Sequence, residues 1–260
     1  MRTSTGVVEL ALIRPCWPVP PMLRAVATTR AGGVSGGAWA GLNLGDHVGD
    51  DPAAVAINRA RLQAALDLPA PPHWLRQVHG TAVTIPGRQA PAESDAAVTR
   101  EPGCVLAILT ADCLPVLFAE RNGSVIGAAH AGWRGLAAGV LEATLAAMDC
   151  RPADVLAWLG PAIGAAAFEV GDEVRSAFLE ADPGAGAAFT ANARGRWQAD
   201  LAALARRRLG ASGVTRVYGG EPCTHADPMR FYSHRRDGRT GRMASLIWIE
   251  SRAGRETGSG

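Results

Sequence analysis

Val-Leu-Ala-Ile-Leu-Thr-Ala-Asp-Cys-Leu-Pro-Val-Leu-Phe-Ala, residues 105–119, is the most apolar run of the chain. It carries Asp112 and Pro115 and is too short to cross a bilayer, so it belongs to a core. Val105 to Leu109 and Leu114 to Ala119 read as buried strands. Between them, Thr110 to Cys113 reads as a bend or bulge, a device that redirects a side chain. Arg121-Asn-Gly then gives a hairpin turn, and Ser124 to Ala129 the return strand.

Working outward, Ala31 to Gly37 is Gly-rich and must be a loop. Asp51-Pro52 reads as a helix start, with Val55, Leu62 and Leu66 near one face. His73 to Val78, Val83 to Ile85 and Ala96 to Val98 read as short strands. Downstream, Leu136, Val140, Leu141, Leu145 and Met148 repeat at the spacing of one helix. Val155 to Leu159 is a further buried strand. Asp172 to Glu180 and Ala199 to Leu209 read as amphipathic helices, and Val214 to Tyr218 and Ser245 to Ile249 as late strands. Strands and helices mix without a regular βαβ repeat. That predicts an α+β fold, a single-domain mixed α/β sandwich, over a doubly wound parallel sheet. Residues 1–252 are expected to form one domain, and the Gly-rich tail 253–260 to be disordered.

The 260 residues are 48% hydrophobic, enough for a substantial core. A formal net charge of +2 gives no reason to expect nucleic acid or a membrane as partner. All 26 basic residues are Arg, which excludes Schiff-base lysine chemistry and a Walker-type lysine. Five Cys without regular spacing, and no basic start followed by a long apolar segment, predict a reduced, cytoplasmic setting.

The chemistry concentrates around Cys113. A free Cys is usually a small core hydrophobe, which suits Cys104 and Cys150. It suits Cys113 less well, because Asp112 needs a partner before it can leave water. His130, at the end of the return strand, heads His-Ala-Gly-Trp-Arg-Gly, and His79 lies upstream in Arg-Gln-Val-His-Gly. Together His79, Cys113 and His130 can hold zinc and leave one position open. The other reading makes Cys113 a nucleophile with His130 as its base, as in a Cys–His hydrolase. A hydrolase needs only one His, so His79 favours the metal.

The glycine turn after His130 can present backbone N–H groups to an anion, with Arg134 adding charge. Arg30 and Ser35 on the Gly-rich loop, and Arg59 on the helix after Asp51, can also contact a ligand. Near the end of the chain, Phe231 and Tyr232 precede Arg235 and Arg236, a pattern that can stack a base and hold an anion. Cys223, His225 and Asp227 alternate, and on a strand they would share a face and offer a second metal site.

These blocks together resemble the YfiH-like family, long labelled laccase-domain or polyphenol oxidase proteins and now understood as zinc-dependent purine nucleoside phosphorylases. The matching stretches are Thr-Thr-Arg-Ala-Gly-Gly-Val-Ser from Thr28, Leu-Asn-Leu-Gly from Leu42, Asn58-Arg59, Gln-Val-His-Gly and Ser94-Asp95-Ala96. They continue through Thr-Ala-Asp-Cys-Leu-Pro-Val, His-Ala-Gly-Trp-Arg-Gly, Gly-Pro-Ala-Ile-Gly, Glu169-Val170 and Ser-His-Arg-Arg-Asp-Gly. In order, they cover most of the chain from Thr28 to about Gly241.

The resemblance implies a sandwich fold shared with Cys–His toxin deamidases, and zinc on His79, Cys113 and His130. It implies phosphorolysis of adenosine, inosine and methylthioadenosine to base and sugar 1-phosphate, with some adenosine deaminase activity. Arg30, Ser35, Asn43, Arg59, Arg134 and Arg235 are then the candidates for phosphate and substrate. Asp112 would orient a ligand, with Cys113 and His130 beside it at the reacting centre. Two departures stand out: Phe168 lacks the hydroxyl that relatives often carry there, and His225 occupies a place where no fixed His is expected. A related member linked to peptidoglycan precursor editing keeps an amidase as the alternative. A multicopper oxidase commonly needs His-x-His pairs, and none of the six His forms one. A single copper still suits a Cys plus two His site.

Overall fold

The computed structural model describes residues 10–88 and 93–251. The tail from Ala253, expected to be disordered, lies outside them. The described residues open with β1 (Leu12–Ile13), β2 (Leu23–Thr28), α1 (Pro52–Leu66), β3 (His73–Trp74), β4 (Val83–Thr84) and β5 (Ala96–Thr99). The centre is β6 (Val105–Thr110), β7 (Leu114–Glu120), β8 (Ile126–Ala131), α2 (Trp133–Ala138), α3 (Val140–Met148) and β9 (Val155–Leu159). Then come β10 (Glu169–Val170), α4 (Asp172–Leu179), β11 (Phe189–Ala191), β12 (Trp197–Ala199) and α5 (Leu201–Ala211). The last elements among the described residues are β13 (Arg216–Gly219), α6 (His234–Asp237) and β14 (Met243–Ile249).

Among the described residues three sheets form, in a mixed α/β arrangement. One has the order β1-β2-β14-β6-β3, another β13-β9-β7-β8-β5-β4, and a small one β10-β12-β11. The two large sheets pack face to face. Leu106 and Ile108 of β6 meet Leu117 and Ala119 of β7, Ile126 and Ala128 of β8, and Ile247 of β14 between them. The other faces are covered too. Val105, Ala107 and Leu109 pack toward Leu62 of α1. Leu114, Val116 and Phe118 pack toward Leu141 and Leu145 of α3 and Leu204 of α5. Both faces of β6 and β7 are buried, so the two strands read as an unbroken apolar run without alternation.

The turn between those strands differs from the expected bulge. β6 pairs with β14 and β3, whereas β7 pairs with β8 and β9. Residues Ala111 to Cys113 therefore carry the chain from one sheet to the other. The return strand begins later than Ser124 and runs on through His130, placing that side chain within the sheet. The expected helix over Leu136 to Met148 is two helices, broken at Gly139 with φ 103°. Its apolar spacing continues across the break, which is why the periodicity does not reveal it. The strand expected over His73 to Val78 keeps only two residues, and the small sheet is an addition the pattern does not announce. The helix start at Asp51 is as expected: its carboxylate accepts from Ala53 N at 2.9 Å, and Pro52 follows at the first position. Among the described residues, no helix is long and apolar enough to cross a membrane.

Candidate metal centre

The sheet-to-sheet crossover is held under strain. Asp112 has φ 91°, outside the regions an L-residue adopts freely. Its side chain and carbonyl are anchored from three directions. Oδ1 accepts from Thr224 Oγ1 at 2.6 Å, and Oδ2 from Ser233 Oγ at 3.0 Å and Arg235 N at 2.7 Å. The carbonyl accepts from Ile163 N at 2.9 Å. These contacts fix the residue that immediately precedes Cys113 at the mouth of β7.

His130 lies on β8, paired in register with Pro115 of β7. Its Nδ1 sits 2.7 Å from Asp95 Oδ1, and its backbone N donates to the Asp95 carbonyl at 2.7 Å. Asp95 is fully buried. Its carboxylate also accepts from Val78 N, His79 N and Gly80 N at 3.1, 2.9 and 2.7 Å. One carboxylate thus sets both histidines. It accepts a hydrogen bond from Nδ1–H of His130, leaving the Nε2 lone pair free. It also holds His79 in a left-handed turn with φ 63°. Burial alone would raise the Asp95 pKa, but the hydrogen bond from His130 and those from Gly80 and Val78 win and lower it. Burial likewise disfavours the Cys113 thiolate, yet the neighbouring His130 and His79 lower the thiol pKa; the same thiolate and Asp95 raise that of His130.

Among the described residues, His79, Cys113 and His130 form one group able to hold a metal ion, their ligand atoms all within 4.8 Å of one another. Cys113 Sγ lies 3.6 Å from His79 Nε2. Zinc–sulfur and zinc–nitrogen bonds at a tetrahedral angle put those atoms about 3.6 Å apart. Gly132 makes the approach possible. A Cβ there would stand 2.7 Å from His79 Cδ2 and 3.1 Å from Cys113 Sγ. Donor set, spacing and the glycine cradle all fit a Cys plus two His metal site.

A family model described as multi-copper polyphenol oxidoreductase laccase matches residues 24–250. The chain belongs to the YfiH-like laccase-domain family. A relative from Pseudomonas aeruginosa, named a purine nucleoside phosphorylase, is 53% identical over 241 residues, covering 92% of this chain and 99% of that one. YfiH of Escherichia coli, named a purine nucleoside phosphorylase as well, is 51% identical over 240 residues, with 92% and 98% covered. A crystal structure of a Neisseria meningitidis protein superposes with a TM-score of 0.87 at 48% identity, covering 92% of this chain and 99% of that one.

In this YfiH-like chain the remaining sequence candidates are distributed unevenly. Ser35 hydrogen-bonds Asp50 and receives Asn58 Nδ2, and buried Asn43 also donates to Asp50. Arg59 donates to the Leu44 carbonyl, pairs with Asp46 and lies over Trp74. Arg30 donates to the carbonyls of Pro228 and Ala40 and lies over Tyr232. Arg235 reaches the Glu169 carbonyl and lies over Phe168. Arg134 is exposed beside Trp133. Cys223, His225 and Asp227 are not on a strand; Cys223 Sγ instead accepts from Gly164 N at 3.2 Å. The YfiH-like centre has one residue whose role sequence reasoning passes over. Asp95 is visible only within the Ser94-Asp95-Ala96 block of the family match, since a carboxylate next to a short strand carries no spacing signal.

Proposed function

We propose that this protein is a zinc-dependent purine nucleoside phosphorylase, cleaving inosine, adenosine and methylthioadenosine with inorganic phosphate. The observation that carries the reading is the Cys113, His79, His130 group set by one buried carboxylate, in a chain more than half identical to relatives named for that activity. His79, Cys113 and the Nε2 of His130 hold the ion, and residues 1–252 act as one catalytic domain. When bound there, zinc would supply fixed positive charge for the oxygens of phosphate or ribose. In the reaction a phosphate oxygen bonds to the anomeric carbon as the bond from that carbon to the purine nitrogen breaks. The purine leaves with the electron pair and takes up a proton.

Asp112 acts on this scheme by fixing the backbone that delivers Cys113. Arg134 and Arg235 are assigned to substrate. Arg30, Ser35, Asn43 and Arg59 have protein partners for their polar groups and are assigned to holding the surrounding loops in place. Attack of water at purine C6 with loss of ammonia, the deaminase activity, is assigned to the same site.

The lowered thiol pKa of Cys113 favours a second reading, a Cys–His amidase of the toxin-deamidase type acting on peptidoglycan precursors. Stripping the protein with a chelator and reloading it with zinc or copper separates the three chemistries. The phosphorylase reading expects base release from nucleosides to vanish on stripping and return with zinc. Turnover that survives the chelator but is abolished by a thiol reagent contradicts it, as does phenol oxidation on reloading with copper.

A further inference from the structure

Arg242 is a cation that the chemistry above leaves unassigned. It directly precedes Met243, which pairs with Thr110 across the β14–β6 ladder. That register sets Arg242 level with the Ala111 to Cys113 crossover. The Leu-Asn-Leu-Gly block holds it there. Arg242 N donates to Asn43 Oδ1 at 2.8 Å, and Leu44 N donates to the Arg242 carbonyl at 3.1 Å. Gly45 leaves the side chain its path, since a Cβ there would stand 2.8 Å from Arg242 Cγ. The block that helps mark the family thus has a physical role, because it seats one arginine level with the crossover that delivers Cys113.

The guanidinium is only half spent. Nη1 donates to the carbonyls of Thr240 and Gly241, both at 3.0 Å. Among the described residues, Nε and Nη2 have no protein acceptor, and neither is a sealed, orphaned atom. No ion pair among them includes Arg242. Burial lowers its pKa, while Cys113 and Asp112 act the other way, and a guanidinium stays charged in a protein regardless. The free Nε/Nη2 edge is the planar fork that grips two oxygens of one oxyanion. Arg59 and Arg30, by contrast, keep no free Nε/Nη2 edge: Arg59 spends Nε and Nη2 on the Leu44 carbonyl and Asp46, and Arg30 spends Nη2 on the Ala40 carbonyl.

We propose that the Nε/Nη2 edge of Arg242 is the phosphate-binding fork of this site, taking two oxygens of the attacking phosphate beside Cys113. The choice of ligand rests on the phosphorolysis reading; the position rests on the β14–β6 register, with the charge of Arg242 coupled to Cys113 and Asp112. The test compares wild type, Arg242→Met and Arg242→Lys as zinc-loaded full chains. It measures binding of inorganic phosphate without nucleoside by calorimetry, then KM for phosphate and for inosine. Loss of two charge-assisted hydrogen bonds should weaken phosphate binding at least about 100-fold in Arg242→Met. KM for phosphate should rise in step, with KM for inosine little changed and zinc content equal to wild type; Arg242→Lys should fall between. Phosphorolysis by Arg242→Met at the wild-type phosphate KM overturns the inference and leaves the function standing. Phosphate held through Arg242 by a wild type that cleaves no nucleoside does the reverse. Loss of zinc from both variants would make Arg242 a support for the Cys113 thiolate and overturn the proposal, as would absence of phosphate binding by the wild type.

Discussion

Asp95→Asn is the substitution that probes the centre most deeply, because it removes one charge and almost no volume. Asp95 receives four donors, two on each oxygen: His79 N and His130 Nδ1 on Oδ1, Val78 N and Gly80 N on Oδ2. An amide can accept on one side only. With its NH2 on the Oδ2 side, it faces two backbone N–H groups. With its NH2 on the Oδ1 side, it faces His79 N and forces His130 to accept at Nδ1, which puts the proton on the Nε2 needed for the metal. The first orientation loses two hydrogen bonds to a charged acceptor and the second loses one and reverses another; at about 1.5–3 kcal/mol each, the cost is about 1.5–6 kcal/mol. That is a large part of the about 5–15 kcal/mol that holds a protein folded. Zinc affinity should fall about 10- to 100-fold, the usual effect of losing a ligand's supporting partner. Asp95 titrates below its ordinary value, so its share of stability is present above about pH 3.9 and is lost as pH falls through the lowered folded pKa. Urea unfolding with circular dichroism, and competition for zinc with a chromophoric chelator, read the two effects. An Asp95→Asn protein with wild-type urea midpoint and wild-type zinc affinity would refute the reasoning.

Three more outcomes are expected. Gly132→Ala should keep the fold, because φ −58° and ψ 152° suit alanine, yet lower zinc affinity at least about tenfold by pushing His79 and Cys113 apart, as the same chelator assay would show. Cys113 in the metal-free protein should be alkylated by iodoacetamide with a pH midpoint below the about 8.5 of an ordinary thiol; zinc should block the reaction and His130→Ala should move the midpoint upward. Asp112→Ala keeps the strained φ while depriving Thr224, Ser233 and Arg235 N of their acceptor, so it should cost about 2–5 kcal/mol and lower the melting temperature measurably.

Much of this architecture is visible in the sequence where local pattern and tertiary role coincide. β6 and β7 are buried on both faces, so their apolar runs announce them. Asp51 and Pro52 announce α1 because capping is local chemistry. The three metal-ligand candidates stand out because each sits beside residues that make no sense in a plain core: an Asp before Cys113, a glycine turn after His130, a glycine after His79. What the sequence hides is pairing. Nothing in residues 105–119 says that the strands belong to different sheets, because partner choice is decided by distant residues such as Met243 and Pro115's neighbour His130. The break at Gly139 is hidden because helical spacing continues through it. Asp95 and Arg242 do not stand out in the sequence for the roles assigned to them, since each depends on backbone groups brought from elsewhere in the chain.

The central question is whether the Cys113 centre transfers a ribosyl group to phosphate. Zinc-loaded protein incubated with inosine and inorganic phosphate should release hypoxanthine and ribose 1-phosphate in equal amounts, with no base released when phosphate is left out and none from Cys113→Ala. Hypoxanthine released at the same rate without phosphate, together with free ribose, would make the site a hydrolase and contradict the account; no release at all from a protein with zinc bound would remove nucleosides from its chemistry.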